Sequence, residues 1–289
     1  MWEACAEKMM ALGGKLEMNC RVTGCSYDDL SGQWNVEYKN GDGDRQVVEA
    51  EHVISSAPMR ELVCGLSPAV SERTKCAAES LKYRDFLTVM LILKDRQMFD
   101  DNWIYIHDPS VKVGRVQNFR SWSPEMVPDS DKVCYGLEYF CFEHDRLWDS
   151  SDNDLVDLAR RELVQIGLAK DGDFLDGCVV RQKKAYPVYD DDYARHVATI
   201  RQELDTRYPN LHLIGRNGMH KYNNQDHAMM TAMLCVENIL ADTKLYDLWQ
   251  VNSDAEYHEA GPIVAEETNG SGLRLVPTRV GTPELAPEA

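Results

Sequence analysis

The order of apolar patterns along this 289-residue chain predicts an α+β fold. Three observations support that fold class. Apolar runs rich in β-branched and aromatic residues cluster in the middle of the chain, where a mostly antiparallel sheet is expected. Helical patterns lie on both sides of that region. Near the end of the chain, a short apolar strand runs through a glycine into a further helix.

The first part of the chain begins with a helical pattern over residues 2–12, which a pair of glycines ends. Alternating aromatic and aliphatic residues within 33–39 then indicate a half-buried strand. The segment 40–44 is rich in glycine, asparagine and aspartate and predicts a turn. In full, strands are predicted at 15–18, 21–27, 33–39, 46–50 and 52–56, and helices at 59–64 and 71–81.

The middle of the chain carries most of the remaining strands. The densest apolar run, 86–93, has the composition of a buried strand. An amphipathic helix at 152–167 is expected to bury one side, formed by Leu155, Leu158, Ala159, Leu163 and Ile166. The other elements predicted from here on are strands at 103–107, 113–118, 133–142, 178–184 and 211–214, and helices at 190–204 and 225–240.

Composition argues against several classes of function. The formal net charge of −17 is unsuited to holding nucleic-acid phosphates or an anionic membrane surface. No apolar run reaches the roughly 18 residues that a membrane-spanning helix needs. The nine cysteines have irregular spacing and include no CxxC pair, so we expect ordinary reduced thiols and a cytoplasmic protein.

The segment 211–228 carries the most chemical information. Its apolar strand ends in Gly215, a polar loop follows, and a helix begins near residues 224–226, which are good capping residues. Glycine lets a ligand approach the backbone closely. A helix start offers free N–H groups and the positive end of the helix dipole. This combination suits an anion or an electron-rich ring.

Two other interpretations fit the same segment. A loop with a capped helix and no ligand would contain the same residue types, and the residues alone do not separate it from a binding site. His220 and His227 suggest a metal, but no carboxylate or third histidine stands at the spacing of helix ligands, so no metal site is predicted.

The segment 215–232 resembles the C-terminal flavin motif shared by flavin amine oxidases, protoporphyrinogen oxidases and UDP-galactopyranose mutases. In that family, the glycine and the start of the final helix pack against the flavin. The resemblance therefore implies FAD as the cofactor. It assigns cofactor contacts to Gly215, Arg216, Asn224, Asp226, His227 and Ala228. The Gly-Arg pair, followed by Tyr222 and Asp226, is most similar to the mutase branch.

Two further stretches resemble the same family. Residues 12–22 are similar to a helix-strand-strand passage, which implies that Val22 offers its backbone to the adenine. Without the resemblance, Val22 would be interpreted as an ordinary core valine. Residues 52–58 are similar to a strand that ends in a small-residue turn beside the flavin, which implies contacts from Ser56 and Pro58. A plain strand-to-helix turn is the alternative there.

The resemblance also implies a substrate domain in the middle of the chain. Tyr83, Arg84 and Tyr186 match short elements of the mutase pocket, and Tyr222 is assigned to the substrate as well. Aromatic hydroxyls and an arginine suit a sugar nucleotide or another polyoxygenated anion. The alternative for the tyrosines at 83 and 186 is a core position with a hydrogen-bonded hydroxyl. The loop 118–124 around Trp122 is assigned to a pocket wall or a lid.

The resemblance covers residues 1–258 and implies the remnant of an FAD-binding Rossmann-like domain with an inserted antiparallel-sheet substrate domain. Family members open with a strand, a G-x-G-x-x-G turn and a helix. This fingerprint is absent from the sequence, so we expect the chain to lack the N-terminal dinucleotide-binding segment. The predicted domains are 1–80 and 188–251 for FAD, 81–187 for the substrate, and an acidic, disordered tail at 252–289.

The sequence thus predicts a fragment of an FAD-dependent oxidoreductase that transfers a hydride from a small-molecule substrate to the flavin. No side chain is predicted to be catalytic. Two alternatives stay open. One is a mutase-like sugar-nucleotide isomerase that uses reduced flavin, with Arg84 binding the diphosphate. The other is a non-catalytic remnant that no longer binds flavin.

Overall fold

The computed structural model describes residues 1–252 and Val280. The chain divides into two compact units. The first unit combines Met1–Leu81 with the chain from Tyr189 onward, and the second unit is Lys82–Val188. The predicted tail at 252–289 lies outside the described residues, except for Asn252 and Val280.

The N-terminal part of the first unit builds a four-stranded sheet. Its elements are α1 (Trp2–Ala11), β1 (Arg21–Asp28), β2 (Gln33–Lys39), β3 (Arg45–Ala50), β4 (Val53–Ser55), α2 (Met59–Cys64), β5 (Leu66–Ser67) and α3 (Glu72–Ser80). The sheet order is β3-β2-β1-β5, with the first three strands antiparallel and β5 parallel to β1. The strand predicted at 15–18 is not formed, since no neighbour pairs with its backbone groups there.

The second unit contains one antiparallel sheet, as predicted for the middle of the chain. Its elements are β6 (Tyr83–Lys94), β7 (Trp103–Tyr105), β8 (Arg115–Asn118), α4 (Phe119–Trp122), β9 (Lys132–Cys141), α5 (Asp152–Gln165) and β10 (Phe174–Pro187). The sheet order is β10-β6-β9-β8-β7. The outer strand β10 is longer than predicted because it pairs with β6 along almost its whole length.

Alternation along β6 sends its side chains to two different faces of this sheet. Leu87, Val89 and Leu91 are fully buried on the face that packs against α5. From α5, Leu155, Ala159 and Leu163 enter this core, and Leu158 and Ile166 pack against it while partly buried. This agrees with the predicted apolar side of the helix. The opposite face carries Arg84, Phe86 and Thr88 and is described with the site below.

The chain returns to the first unit with α6 (Tyr193–Arg207), β11 (Leu211–Leu213), α7 (Gly215–Gly218) and α8 (Gln225–Leu240). Helix α6 begins and ends three residues later than predicted. Its start is later because Asp190, Asp191 and Asp192 favour the cap and turn over the helix interior. Strand β11 pairs in parallel with β4. Just after α6, the Tyr208 ring lies 5.7 Å from the fully buried Trp34 of β2 and holds α6 against the first sheet.

Two general properties of the chain follow from these elements. All nine cysteines are free thiols, and burial raises the pKa of Cys141 and Cys235 to about 11, so these two are protonated at neutral pH. Among the helices that the structure describes, none is both long and apolar enough to cross a bilayer.

Candidate functional site

Gly215 forms the turn between β11 and the loop that follows it. Its φ is +70°, in the left-handed region that favours glycine. The Gly215 N–H donates to Oγ1 of Thr231 at 3.0 Å, and Nδ2 of Asn223 donates to the Gly215 carbonyl at 3.4 Å. Both partners are buried. The backbone of the turn is therefore fixed by polar side chains on either side of it.

Gly218 packs this loop directly on the end of β4. A Cβ at position 218 would lie only 2.6 Å from the Ser55 carbonyl oxygen. The same carbonyl accepts a hydrogen bond from the Ile214 N–H at 3.0 Å. Ser56 is exposed, and its Cβ lies 3.9 Å from where a Cβ on Gly215 would stand. The structure thus brings together the two sequence motifs around 52–58 and 215–232, with Pro58 as the cap of α2.

Two side chains cap the start of α8. Nδ1 of His227 accepts from the Asn224 N–H at 3.2 Å, and Oδ1 of Asp226 accepts from the His227 N–H at 2.9 Å. His227 is thus occupied by the cap, and no cluster of three potential metal ligands exists in the described ranges. Asn224, Gln225 and Asp226 are exposed, so the first turn of α8 is open to solvent, while Ala228 is half-buried behind Gly215.

Arg216 adds a cation to this turn. Its Nε donates to the Asn223 carbonyl at 2.7 Å, and its guanidinium lies 5.0 Å from the centre of the Tyr222 ring. A cation, a glycine turn and an exposed helix start are the groups that an anionic cofactor with a ring would use. The residues present therefore fit one side of a flavin.

Val22 lies elsewhere in the first unit. It is on β1 in the four-stranded sheet, whereas the turn described above follows the β4–β11 pair. Val22 is 57% exposed, so its interpretation as an ordinary core valine is wrong. A role for its backbone in binding adenine stays a prediction.

In the second unit, a buried ion pair occupies the face opposite α5. Thr88, Glu138, Arg115 and Tyr105 lie opposite one another across β6, β9, β8 and β7. Glu138 is fully buried and accepts hydrogen bonds from Arg115 and Gln117. Burial lowers the pKa of Arg115, but the hydrogen bond and the negative charge of Glu138 raise it by more. The net pKa is therefore raised, and the guanidinium stays charged.

Aromatic rings surround this ion pair. The Arg115 guanidinium lies 5.7 Å from the ring centres of both Trp103 and Tyr105. Trp122, from the loop assigned to a wall or a lid, packs on Trp103 with ring centres 5.0 Å apart. The Phe119 ring lies over Gly136, where a Cβ would meet it at 2.9 Å. The face is thus an aromatic surface with a fixed charge pair at its centre.

The structure separates two of the predicted substrate residues. Tyr83 is buried on the α5 side of β6, whereas its neighbour Arg84 is exposed on the opposite face, 5.3 Å from the centre of the Phe142 ring. Tyr186 lies opposite Arg84 across β10 and β6, and its ring meets the Phe86 ring edge-on at 6.0 Å. Arg84 and Tyr186 therefore come together, while Tyr83 faces away from them.

Sequence reasoning missed Arg115, Gln117 and Glu138. A partial signal was present, because Arg115 and Gln117 alternate on one predicted strand and Glu138 is the one acidic residue within another, 133–142. Their pairing depends on the register between β8 and β9, which a single sequence does not reveal.

Comparison with known proteins gives the family. The model of the family "Flavin containing amine oxidoreductase" matches residues 2–240, and no curated protein matches. A reduced UDP-galactopyranose mutase structure superposes with a TM-score of 0.69 at 16% identity, covering 84% of this chain and 50% of that chain. A putative protoporphyrinogen oxidase from Exiguobacterium sp. 255-15 superposes with a TM-score of 0.58 at 16% identity, covering 76% of this chain and 48% of that chain.

A redesigned putrescine oxidase also superposes, with a TM-score of 0.52 at 15% identity, covering 73% of this chain and 46% of that chain. The chain thus spans about half the length of these three proteins. At such identities the likeness shows the fold, which is the α+β fold predicted from the sequence. The family match extends over most of the chain and implies a flavin cofactor. The chain belongs to the family of flavin-containing amine oxidoreductases.

Proposed function

We propose that this chain forms the substrate domain and one side of the cofactor site of an FAD-dependent oxidoreductase. The enzyme would transfer a hydride from a small-molecule substrate to the flavin. One observation carries the proposal: the Gly215 turn, the Ser55–Ser56 turn and the open start of α8 meet in one place. Such a meeting is expected of a site that binds a large anionic cofactor through backbone groups.

Each of these residues has a role in the proposal. FAD, when bound, would supply the hydride acceptor. Gly215, whose φ of +70° requires a glycine, and the exposed Ser56 would present their backbone to the cofactor. The first turn of α8 would donate N–H groups to its anionic part, and Arg216 would contribute positive charge. Asp226, an exposed acceptor, suits a cofactor hydroxyl better than a phosphate because a carboxylate repels a phosphate.

We further propose that a glycine-rich dinucleotide-binding segment beyond these residues completes the site. Among the described strands, β4 and β11 pair only with each other, and parallel strands normally lie inside a larger covered sheet. Helix α8 also exposes a row of apolar side chains, formed by Met229, Met233, Val236 and Leu240. Both features favour a further layer against this part of the first unit.

In the second unit, we propose that the substrate lies on the aromatic face around Arg115. Glu138 already balances the charge of Arg115. Arg84, on the same face, has no carboxylate partner among the described residues. A cationic amine would be repelled by this arginine, whereas an acidic or phosphorylated substrate would be attracted. Tyr186 lies on the same face and remains part of this proposal, whereas Tyr83 faces the α5 side of β6 and Tyr222 belongs to the first unit.

The absence of a carboxylate partner for Arg84 among the described residues also favours a second candidate. This candidate is a mutase-like isomerase that acts on a sugar nucleotide with reduced flavin. That reaction needs a cation for the substrate diphosphate, and Arg84 is the available group. The two candidates differ in redox balance. Net consumption of an electron acceptor during turnover supports the oxidoreductase, and turnover without any acceptor supports the isomerase.

The first experiment is a titration of FAD into the purified chain, followed by flavin absorbance and fluorescence. We expect saturable binding, weakened about tenfold or more by Gly218→Ala, which displaces the turn from Ser55. Gly172→Ala is a matched control because its Cβ meets no atom within 4 Å. Equal binding by the Gly218→Ala variant would contradict the proposed cofactor site. Absence of binding up to millimolar FAD would support either a remnant without flavin or a site that needs the further segment proposed above.

A further inference from the structure

A cavity of about 540 Å³ lies in the first unit between α6, the loop after Gly218 and the segment before Asn252. Aromatic rings form much of its wall. Tyr189 and Tyr193 stack with ring centres 4.1 Å apart and planes within 6° of parallel, and Tyr222 and Trp249 add two more rings. Such walls favour a flat, largely apolar ligand.

The charges around this cavity are all of one sign. Arg201 and Lys221 line it, and its described lining residues include no aspartate or glutamate. A neighbouring cavity of about 440 Å³, which Arg201 also lines, is different because three aspartates, Asp205, Asp242 and Asp247, contribute to its wall. In a chain with a net charge of −17, a cavity without carboxylates is a favourable place for an anion.

Arg201 supplies the decisive contact. Its guanidinium carbon lies 4.0 Å from the centre of the Trp249 ring, which holds the group flat. Its Nε is buried and has no hydrogen-bond partner, and no ion pair joins Arg201 to any residue that the structure describes. A guanidinium has five N–H donors, and leaving the buried Nε donor unused is unfavourable. An acceptor from a ligand would satisfy it.

We propose that this cavity binds a planar aromatic anion, with its acidic group on Arg201 and its ring among Tyr193, Tyr222 and Trp249. The planar fork of arginine matches a carboxylate in a two-point hydrogen bond. Lys221 adds positive charge nearby while its Nζ donates to the carbonyls of Trp249 and Val251 at 2.8 and 2.6 Å.

The ligand would also contact the loop that carries the Gly215 turn. The Tyr222 N–H donates to the hydroxyl of Tyr189 at 2.6 Å, so the cavity wall and the loop are joined directly. The cavity borders the proposed flavin contacts at Tyr222, whose ring lies 5.0 Å from the Arg216 guanidinium, and its other walls come from α6 and the segment near Trp249.

The test is isothermal titration of the full chain with 2-naphthoate, and with 2-naphthamide as the uncharged analogue. We expect 2-naphthoate to bind and the amide to bind at least tenfold more weakly. Arg201→Gln should weaken 2-naphthoate binding by about tenfold or more. Arg195→Gln is the matched control, since Arg195 lies on the same helix, is exposed and pairs with Asp192 at 2.8 Å. It should leave binding unchanged.

No binding of 2-naphthoate to the natural chain at millimolar concentration would overturn the proposal, as would equal binding by the Arg201→Gln variant. If that variant unfolds, Arg201→Lys keeps the charge without the fork and should still weaken binding several-fold. Binding of acid and amide with equal affinity would likewise reject an anion site. Because none of these measurements uses flavin, the result is independent of the proposed function.

Discussion

Two arginines in this chain lie on aromatic rings but have different surroundings. In the second unit, Arg115 is held by Trp103 and Tyr105, and the buried Glu138 matches its charge. In the first unit, Arg201 is held by Trp249, and no described carboxylate pairs with it. The rings orient the guanidinium in both places. The counterion determines whether its hydrogen-bonding capacity is already used.

The counterion therefore gives Arg115 a structural role and leaves Arg201 able to bind a ligand. Glu138 has no exposed surface, so its charge is tolerated only while Arg115 and Gln117 donate to it. Arg115 therefore shapes the aromatic face without offering a free charge. Arg201 retains an unused buried donor beside a cavity, so it is suited to a ligand.

The largest expected effect comes from breaking the pair in the second unit. Arg115→Met should lower the free energy of unfolding by about 3–5 kcal/mol, because it leaves the buried Glu138 carboxylate without its partner. Equilibrium denaturation of the full chain measures this. The double variant Arg115→Met with Glu138→Met should be more stable than Arg115→Met alone, since no buried charge remains.

Lys132→Met is the control for that experiment. Lys132 is on the same sheet and pairs with Asp129 at 2.6 Å, but both side chains are well exposed. Its removal should not change stability measurably. If Arg115→Met were as harmless as Lys132→Met, the contrast between the two arginines would have no energetic basis.

An intermediate effect is expected where Gly218 packs against Ser55 in the first unit. Gly218→Ala puts a Cβ against the Ser55 carbonyl oxygen, at 2.6 Å in the present geometry. We expect a loss of about 1–3 kcal/mol in unfolding free energy from the forced backbone shift. Thermal or chemical denaturation beside Gly172→Ala gives the comparison. Equal stability of the two variants would mean that the turn adjusts freely.

The smallest effect concerns a pair of histidines at the β4–β11 strands. Nδ1 of His52 lies 3.1 Å from Nε2 of His212, and burial, together with the charge of His52, lowers the pKa of His212. The folded state thus binds a proton on His212 less readily than the unfolded state. The resulting stability is present above the ordinary histidine pKa of about 6.5 and is lost as the pH falls below it.

His212→Gln should therefore reduce the loss of stability between neutral and mildly acidic pH. Melting temperatures of both proteins at a series of pH values measure this difference. An NMR titration of the His212 ring in the natural chain should give a midpoint below the ordinary value. A midpoint at or above that value would contradict the assigned burial.

Several elements could be predicted because their signals are local. Strand β2 and helix α8 have the predicted bounds, since alternation and helical periodicity are properties of adjacent residues. The antiparallel sheet in the middle and the glycine turn after β11 were predicted in the same way. The failed strand at 15–18 shows the limit, because an extended pattern without a partner strand does not form a sheet.

By itself, the sequence determined the α+β class and most elements, which depend on residue type and short-range spacing, and its resemblance to known sequences indicated the family. Only the tertiary structure decided that Arg115 meets Glu138, that Tyr83 and Arg84 lie on opposite faces of β6, and that Arg201 packs on Trp249 without a described carboxylate partner. These contacts join residues far apart in the chain. They depend on strand register and helix packing, which follow from burying the whole core at once.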